Sequence, residues 1–229
     1  MKKIILLLSL SYSSIFAADL TKYCENSAVN KCVTPYGEKL GASNGVSAYS
    51  NCRSECVKPI PNSFKKENEK DVYTGIKWQC VEYARRWWIT QKNITFGSVD
   101  TANEIFDLTS AEDLKTGKKI KLIKTSNGET TIPKEGDLLI YKKSGKDENL
   151  PYGHVAVIVN VNISEGYVDI AEANYNNSVW EEKEKYSRRL ALVAKDNKFV
   201  IYDVNYKNYK KEDFSDKSNI ILGWVRADF

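Results

Sequence analysis

Apolar residues from Leu138 onward come in short runs rather than at helical intervals. Leu138–Tyr141, His154–Asn160, Tyr167–Ala173, Phe199–Val204 and Ile220–Val225 are rich in β-branched and aromatic residues, and Gly or Asn/Asp separates most of them. Such runs are predicted as strands. The turn Pro133–Asp137 leads into the first of them. Upstream the period changes. Val81, Ala84 and Trp88 fall at i, i+3 and i+7, one apolar stripe of a helix that starts at Cys80 and runs to about Lys92. A shorter helical segment is expected over Thr101–Leu108, where Thr101 and Glu104 have capping-box spacing. Gly37, Gly41 and Gly45 divide residues 36–49 into short extended pieces, and Lys58–Asp71 has the composition of a polar linker holding Pro59 and Pro61. N-terminal helices followed by an antiparallel sheet make an α+β domain.

The first residues do not fit this domain. Met1-Lys2-Lys3 precedes the mostly apolar stretch Ile4–Phe16 and the small residues Ala17-Ala18. A basic start, a short apolar core and a small-residue end have the form of a cleavable signal peptide over residues 1–17. The apolar run is shorter than the ~20 residues that span a bilayer, so no membrane span is expected after cleavage. Cys24, Cys32, Cys52 and Cys56 then form a Cys-rich leader within residues 18–60. In an exported chain this even set implies two disulfides in one of three pairings, with a four-thiolate zinc site as the competing reading. Loss of Lys2 and Lys3 with the signal lowers the net charge from +4 to +2. That near-neutral balance offers nothing to nucleic acid, and the mixed-sign run Tyr206–Asp213 has the composition of a solvated loop.

Cys80 is the odd cysteine. At the N-terminus of its helix, unpaired amides and the helix dipole favour an anion, which lowers a thiol's pKa and makes it a nucleophile. Its bland alternative is a small buried apolar residue. Arg85 and Arg86 sit later in the helix, where cations suit the dipole. A nucleophilic thiol needs a base, and His154 is the one histidine among 229 residues. It follows Gly153 at the mouth of a strand, where a side chain can face a cleft. Hairpin pairing with the next strand brings Glu172 beside His154, as an orienting carboxylate or a plain exposed strand residue.

Lys77-Trp-Gln-Cys80-Val-Glu-Tyr-Ala-Arg-Arg86, Gly136-Asp-Leu-Leu-Ile-Tyr141, Gly153-His-Val-Ala-Val-Ile158, Ala171-Glu-Ala-Asn174 and Ile221-Leu-Gly-Trp224 together resemble the CHAP family of cysteine, histidine-dependent amidohydrolases and peptidases. Within it they look most like the amidase domains of glutathionylspermidine synthetase/amidase and trypanothione synthetase. The resemblance implies a papain-like fold over residues 36–229. It gives Cys80 as nucleophile, His154 as base and Glu172 as its orienting carboxylate. Gln79 and the Cys80 amide would form an oxyanion hole. Arg85 and Asn174 would lie at the substrate, and no metal or cofactor would be needed. With a signal peptide, the expected substrate class is peptidoglycan peptides in the periplasm or beyond. The alternatives are a γ-glutamyl peptide–polyamine conjugate and an inactive binding module.

Overall fold

A computed structural model describes Cys24 and residues 31–65, 71–144, 150–208 and 220–229. The expected signal peptide, part of the polar linker and most of the lysine-rich run after Tyr206 lie outside these residues.

Two hairpins open the described chain. β1 (Lys39–Ser43) pairs with β2 (Val46–Tyr49), and β3 (Pro61–Phe64) with β4 (Val72–Ile76). Helix α1 (Cys80–Lys92) follows. The remaining strands are β5 (Ile94–Phe96), β6 (Ser110–Asp113), β7 (Lys119–Ser126), β8 (Leu138–Tyr141), β9 (His154–Asn162), β10 (Tyr167–Ala171), β11 (Arg188–Lys195), β12 (Lys198–Asn205) and β13 (Ile221–Ala227). They form one nine-stranded sheet in the order β12-β11-β10-β9-β8-β13-β7-β6-β5, with every neighbouring pair antiparallel. The fold is α+β and papain-like, as the sequence implied.

The helical share is smaller than expected. The shorter helical segment is a 3₁₀ helix, Ala102–Asp107, with the expected capping box, in which the Thr101 N–H donates to Glu104 at 3.4 Å. The polar linker is also corrected, because Pro61–Phe64 is strand β3. β5, β6, β7 and β11 carried no strand signal that stood out. β7 is Lys-Ile-Lys-Leu-Ile-Lys-Thr-Ser with several positions exposed, and β11 opens on two arginines. Charged residues at such positions dilute the apolar pattern on which strand prediction rests.

The central strands are buried on both faces, which is why β8 and β9 appear as unbroken apolar runs. Leu138, Ile140, Val155 and Val157 join one core cluster with Tyr83, Ala84, Trp87 and Trp88 of α1. Leu139, Tyr141, Ala156 and Ile158 join a second with Leu190, Ile201 and Trp224. The helix is clamped from its other side as well. Glu82, fully buried, accepts bonds from Asn62 of β3 at 2.8 Å, Thr74 of β4 at 3.1 Å and Arg86 one turn on at 2.7 Å. Asn93, with φ 55°, ends the helix in the left-handed conformation, its N–H bonded to the Ile89 carbonyl.

The four leader cysteines form two nested disulfides, Cys24–Cys56 and Cys32–Cys52, which selects one of the three pairings and excludes a four-thiolate zinc site. Cys80 is the free cysteine. Each bridge contributes about 2–4 kcal/mol, mainly by restricting the unfolded chain. Unfolding without reductant should therefore expose one titratable thiol, and reduction should raise the count to five. A count of five before reduction would contradict the bridged leader.

Candidate active site

Helix α1 begins at Cys80, preceded by Gln79 in an extended conformation with no side-chain cap. The first-turn amides are therefore free to face the thiol. Strand β9 begins at His154, which pairs with Tyr141 of β8. Gly153 shapes that entry: its φ is +66°, and a Cβ there would stand 2.7 Å from the Tyr141 carbonyl oxygen. Only glycine fits both the angle and the approach. Glu172 follows the last residue of β10, which pairs with β9 through Ile170–Ile158 and Ala171–Val157. That register returns Glu172 to the start of the histidine strand. His154 Nε2 lies 2.8 Å from Glu172 Oε2, leaving Nδ1 for the thiol, to which the ring is hydrogen-bonded.

All three groups are buried: Cys80 is 9 % exposed, His154 1 % and Glu172 4 %. Burial by itself pushes the thiol up. The charge and hydrogen bond of His154, with the amides of Val155 and Val81, outweigh it and hold Cys80 below the ordinary thiol value. Burial likewise opposes the imidazolium, but the Cys80 thiolate and the Glu172 carboxylate raise His154 to about 9. Glu172 is pulled against its own burial, chiefly by Arg188 and then by His154, to about 2. These shifts favour a thiolate–imidazolium pair backed by a carboxylate, an arrangement that can attack a carbonyl carbon and deliver a proton to a leaving amine.

Sequence reasoning missed what stands behind Glu172. Arg188 donates from Nε to Glu172 Oε1 at 2.6 Å and from Nη2 to Oε2 at 3.1 Å, a bidentate pair. Its Nη1 reaches Asp203 at 2.6 Å, and the hydroxyls of Tyr141 and Tyr175 donate to the same carboxylate at 3.1 and 2.5 Å. The Tyr175 ring lies 3.8 Å under the guanidinium and 5.0 Å from the His154 ring. The one sequence signal was the Arg188-Arg189 pair at the head of the apolar run Leu190–Ala194, since buried charges of this kind require partners.

The other candidates are distributed as follows. Gln79 lies beside the thiol, its Nε2 donating to the Cys56 carbonyl at 3.1 Å and its Oε1 accepting from Asn174 at 2.9 Å. Asn174 thus touches the site through Gln79. Arg85 is 4 % exposed and donates to the carbonyls of Phe96, Thr74 and Gly97 at 3.2, 2.6 and 3.0 Å. These bonds tie α1 to β4 and β5, yet Arg85 also lines the cleft. That cleft, about 490 Å³, contains Cys80 and Gln79 between Val57, Tyr73, Ile76, Val99 and Tyr152. A second cleft of about 730 Å³ shares Tyr73, Arg85 and Ser98 with it, so the two clefts adjoin at these residues.

Residues 71–174 match the CHAP domain family, a span that holds Cys80, His154, Glu172 and Asn174. The chain is 35% identical over 192 residues to trypanothione synthetase of Crithidia fasciculata, covering 83% of this chain and 26% of that protein. It is 31% identical over 197 residues to the bifunctional glutathionylspermidine synthetase/amidase of Escherichia coli (strain K12), covering 83% and 29%. To glutathionylspermidine synthase of Crithidia fasciculata it is 26% identical over 209 residues, covering 83% and 28%. The chain thus spans between a quarter and a third of the length of these relatives.

Proposed function

We propose that this CHAP-domain protein is a cysteine amidase, exported from the cell, in which Cys80, His154 and Glu172 cleave a peptide amide. The observation that carries this reading is the position of His154, hydrogen-bonded on one side to a free thiol and on the other to a carboxylate. The Cys80 thiolate adds to the amide carbonyl carbon, and its electron pair moves onto the oxygen. The amides at the start of α1 and the Gln79 side chain stabilise that oxyanion. It collapses as the C–N bond breaks and the His154 imidazolium gives its proton to the departing amine. A water, deprotonated by the neutral imidazole, then attacks the thioester, releases the acid and restores the thiolate–imidazolium pair.

The two disulfides support an oxidising compartment. Peptidoglycan peptides are the abundant amides of the bacterial envelope, and two clefts that adjoin at Arg85, one of them holding the thiol, suit an extended peptide. A second reading is hydrolysis of a γ-glutamyl peptide–polyamine conjugate, favoured by the 31% identity to a glutathionylspermidine synthetase/amidase. Residues 18–229, folded with both disulfides, should show the higher kcat/KM on purified muropeptides, with Cys80→Ala as the blank. Turnover of glutathionylspermidine with muropeptides untouched would select the second reading.

A further inference from the structure

The N-terminal disulfide segment meets Gln79 through the Cys56 carbonyl. The Cys56 carbonyl accepts the Gln79 Nε2 bond at 3.1 Å and a second bond from Asn51 Nδ2. Asn51 Nδ2 also lies 3.2 Å from Asn174 Oδ1, and Asn174 Nδ2 donates to Gln79 Oε1 at 2.9 Å. Gln79, Asn174, Asn51 and the Cys56 carbonyl therefore close a ring of amides. Asn51 is fully buried and anchored by its own N–H, which donates to Asn177 Oδ1 at 2.7 Å. Val57, the residue after Cys56, lines the cleft.

A carboxamide nitrogen has two N–H donors. In Gln79 the ring holds the oxygen through Asn174 and one N–H through Cys56, leaving the second N–H for an acceptor in the cleft. Without the Cys56 carbonyl, this ring holds the Gln79 amide through its oxygen alone, and the orientation of its N–H groups is less fixed. The Cys56 carbonyl is itself carried by a residue bonded covalently to Cys24. We infer that the Cys24–Cys56 disulfide and Asn51 are positioning elements for Gln79, so that the oxyanion site is completed by the cystine-bridged segment outside the span matched to the CHAP family.

This inference rests on the acyl-transfer reading above, and two reagents separate the two. 4-Nitrophenyl acetate acylates Cys80 by addition to a carbonyl, building an oxyanion before 4-nitrophenolate leaves. Iodoacetamide alkylates the same thiolate by displacing iodide and builds none. In the Cys24→Ser, Cys56→Ser double variant, acylation should fall about tenfold or more, part of the ~10²–10³ that a lost oxyanion donor costs. Alkylation should stay within about twofold. In a Gln79→Ala background the serine pair should change acylation by less than about twofold, because the group it positions is gone. Unchanged acylation in the double variant would overturn the inference, as would an equal fall in both rates or an undiminished loss in the Gln79→Ala background. A wild-type thiol inert to both reagents would overturn the acyl-transfer reading and this inference with it.

Discussion

Cys80→Ala and His154→Ala should each lower kcat/KM by about 10⁴-fold or more, since members of a nucleophile–base unit fail together when either is removed. The chain has a single histidine, so no other imidazole can substitute. Both variants should keep the fold. Removing the His154 ring leaves Glu172 still paired with Arg188 on both carboxylate oxygens, so no buried charge is stranded. His154→Ala should also slow iodoacetamide alkylation of Cys80 at neutral pH, because burial, which raises the thiol, would then be opposed only by the Val155 and Val81 amides. Wild-type acyl transfer should decline above about pH 9, where His154 loses the proton it must give to the leaving amine. Glu172→Gln keeps the thiol and the ring but loses the charge that favours the imidazolium, and weak activity should survive. Near-native turnover by His154→Ala on a confirmed substrate would exclude the mechanism.

Arg188→Leu is expected to be the most damaging single change to stability. It leaves the buried carboxylates of Glu172 and Asp203 without the cation between them, and breaking a buried pair in this way costs about 3–5 kcal/mol. The pH dependence gives a sharper test. Glu172 titrates at about 2 in the fold against an ordinary value of 4.5. A carboxyl depressed in the fold stabilises it above its unfolded pKa, and that contribution disappears as pH falls through the folded value. The contribution is about 3 kcal/mol, shared between Arg188 and His154, present above roughly pH 4.5 and gone near pH 2. With Arg188 removed, His154 alone opposes burial, so Glu172 should titrate higher than in the wild type. The variant should then lose less stability than the wild type as pH falls below about 4.5, because its carboxyl contribution is already smaller. Urea unfolding from pH 3 to 8 would measure both slopes, and parallel slopes would show that Arg188 does not hold Glu172 ionised.

Arg85 and Arg86 show how far neighbouring residues can diverge once the chain is packed. Both were legible as cations on one helix. Arg86 pairs with Glu82 within the same helix, a contact that four-residue spacing makes visible in sequence. Arg85 spends its donors on three carbonyls from β4 and from the end of β5, which spacing within α1 cannot reveal. The same limit applies to the amide ring around Gln79, whose members Asn51 and Asn174 are 123 positions apart.

The sequence by itself determined the elements whose physics is local. The apolar stripe placed α1, the β-branched runs placed β8, β9, β10, β12 and β13, and the odd cysteine and single histidine singled out two members of the site. Hairpin logic brought Glu172 to His154 because consecutive antiparallel strands must return on one another. Tertiary structure alone decided the disulfide pairing, the tie between Cys56 and Gln79, and the Arg188–Asp203 support of Glu172. Each of these depends on which distant backbone segments come to share a small volume. Strand order in a nine-stranded sheet is fixed by the summed burial of two cores, and no short window of sequence contains that sum.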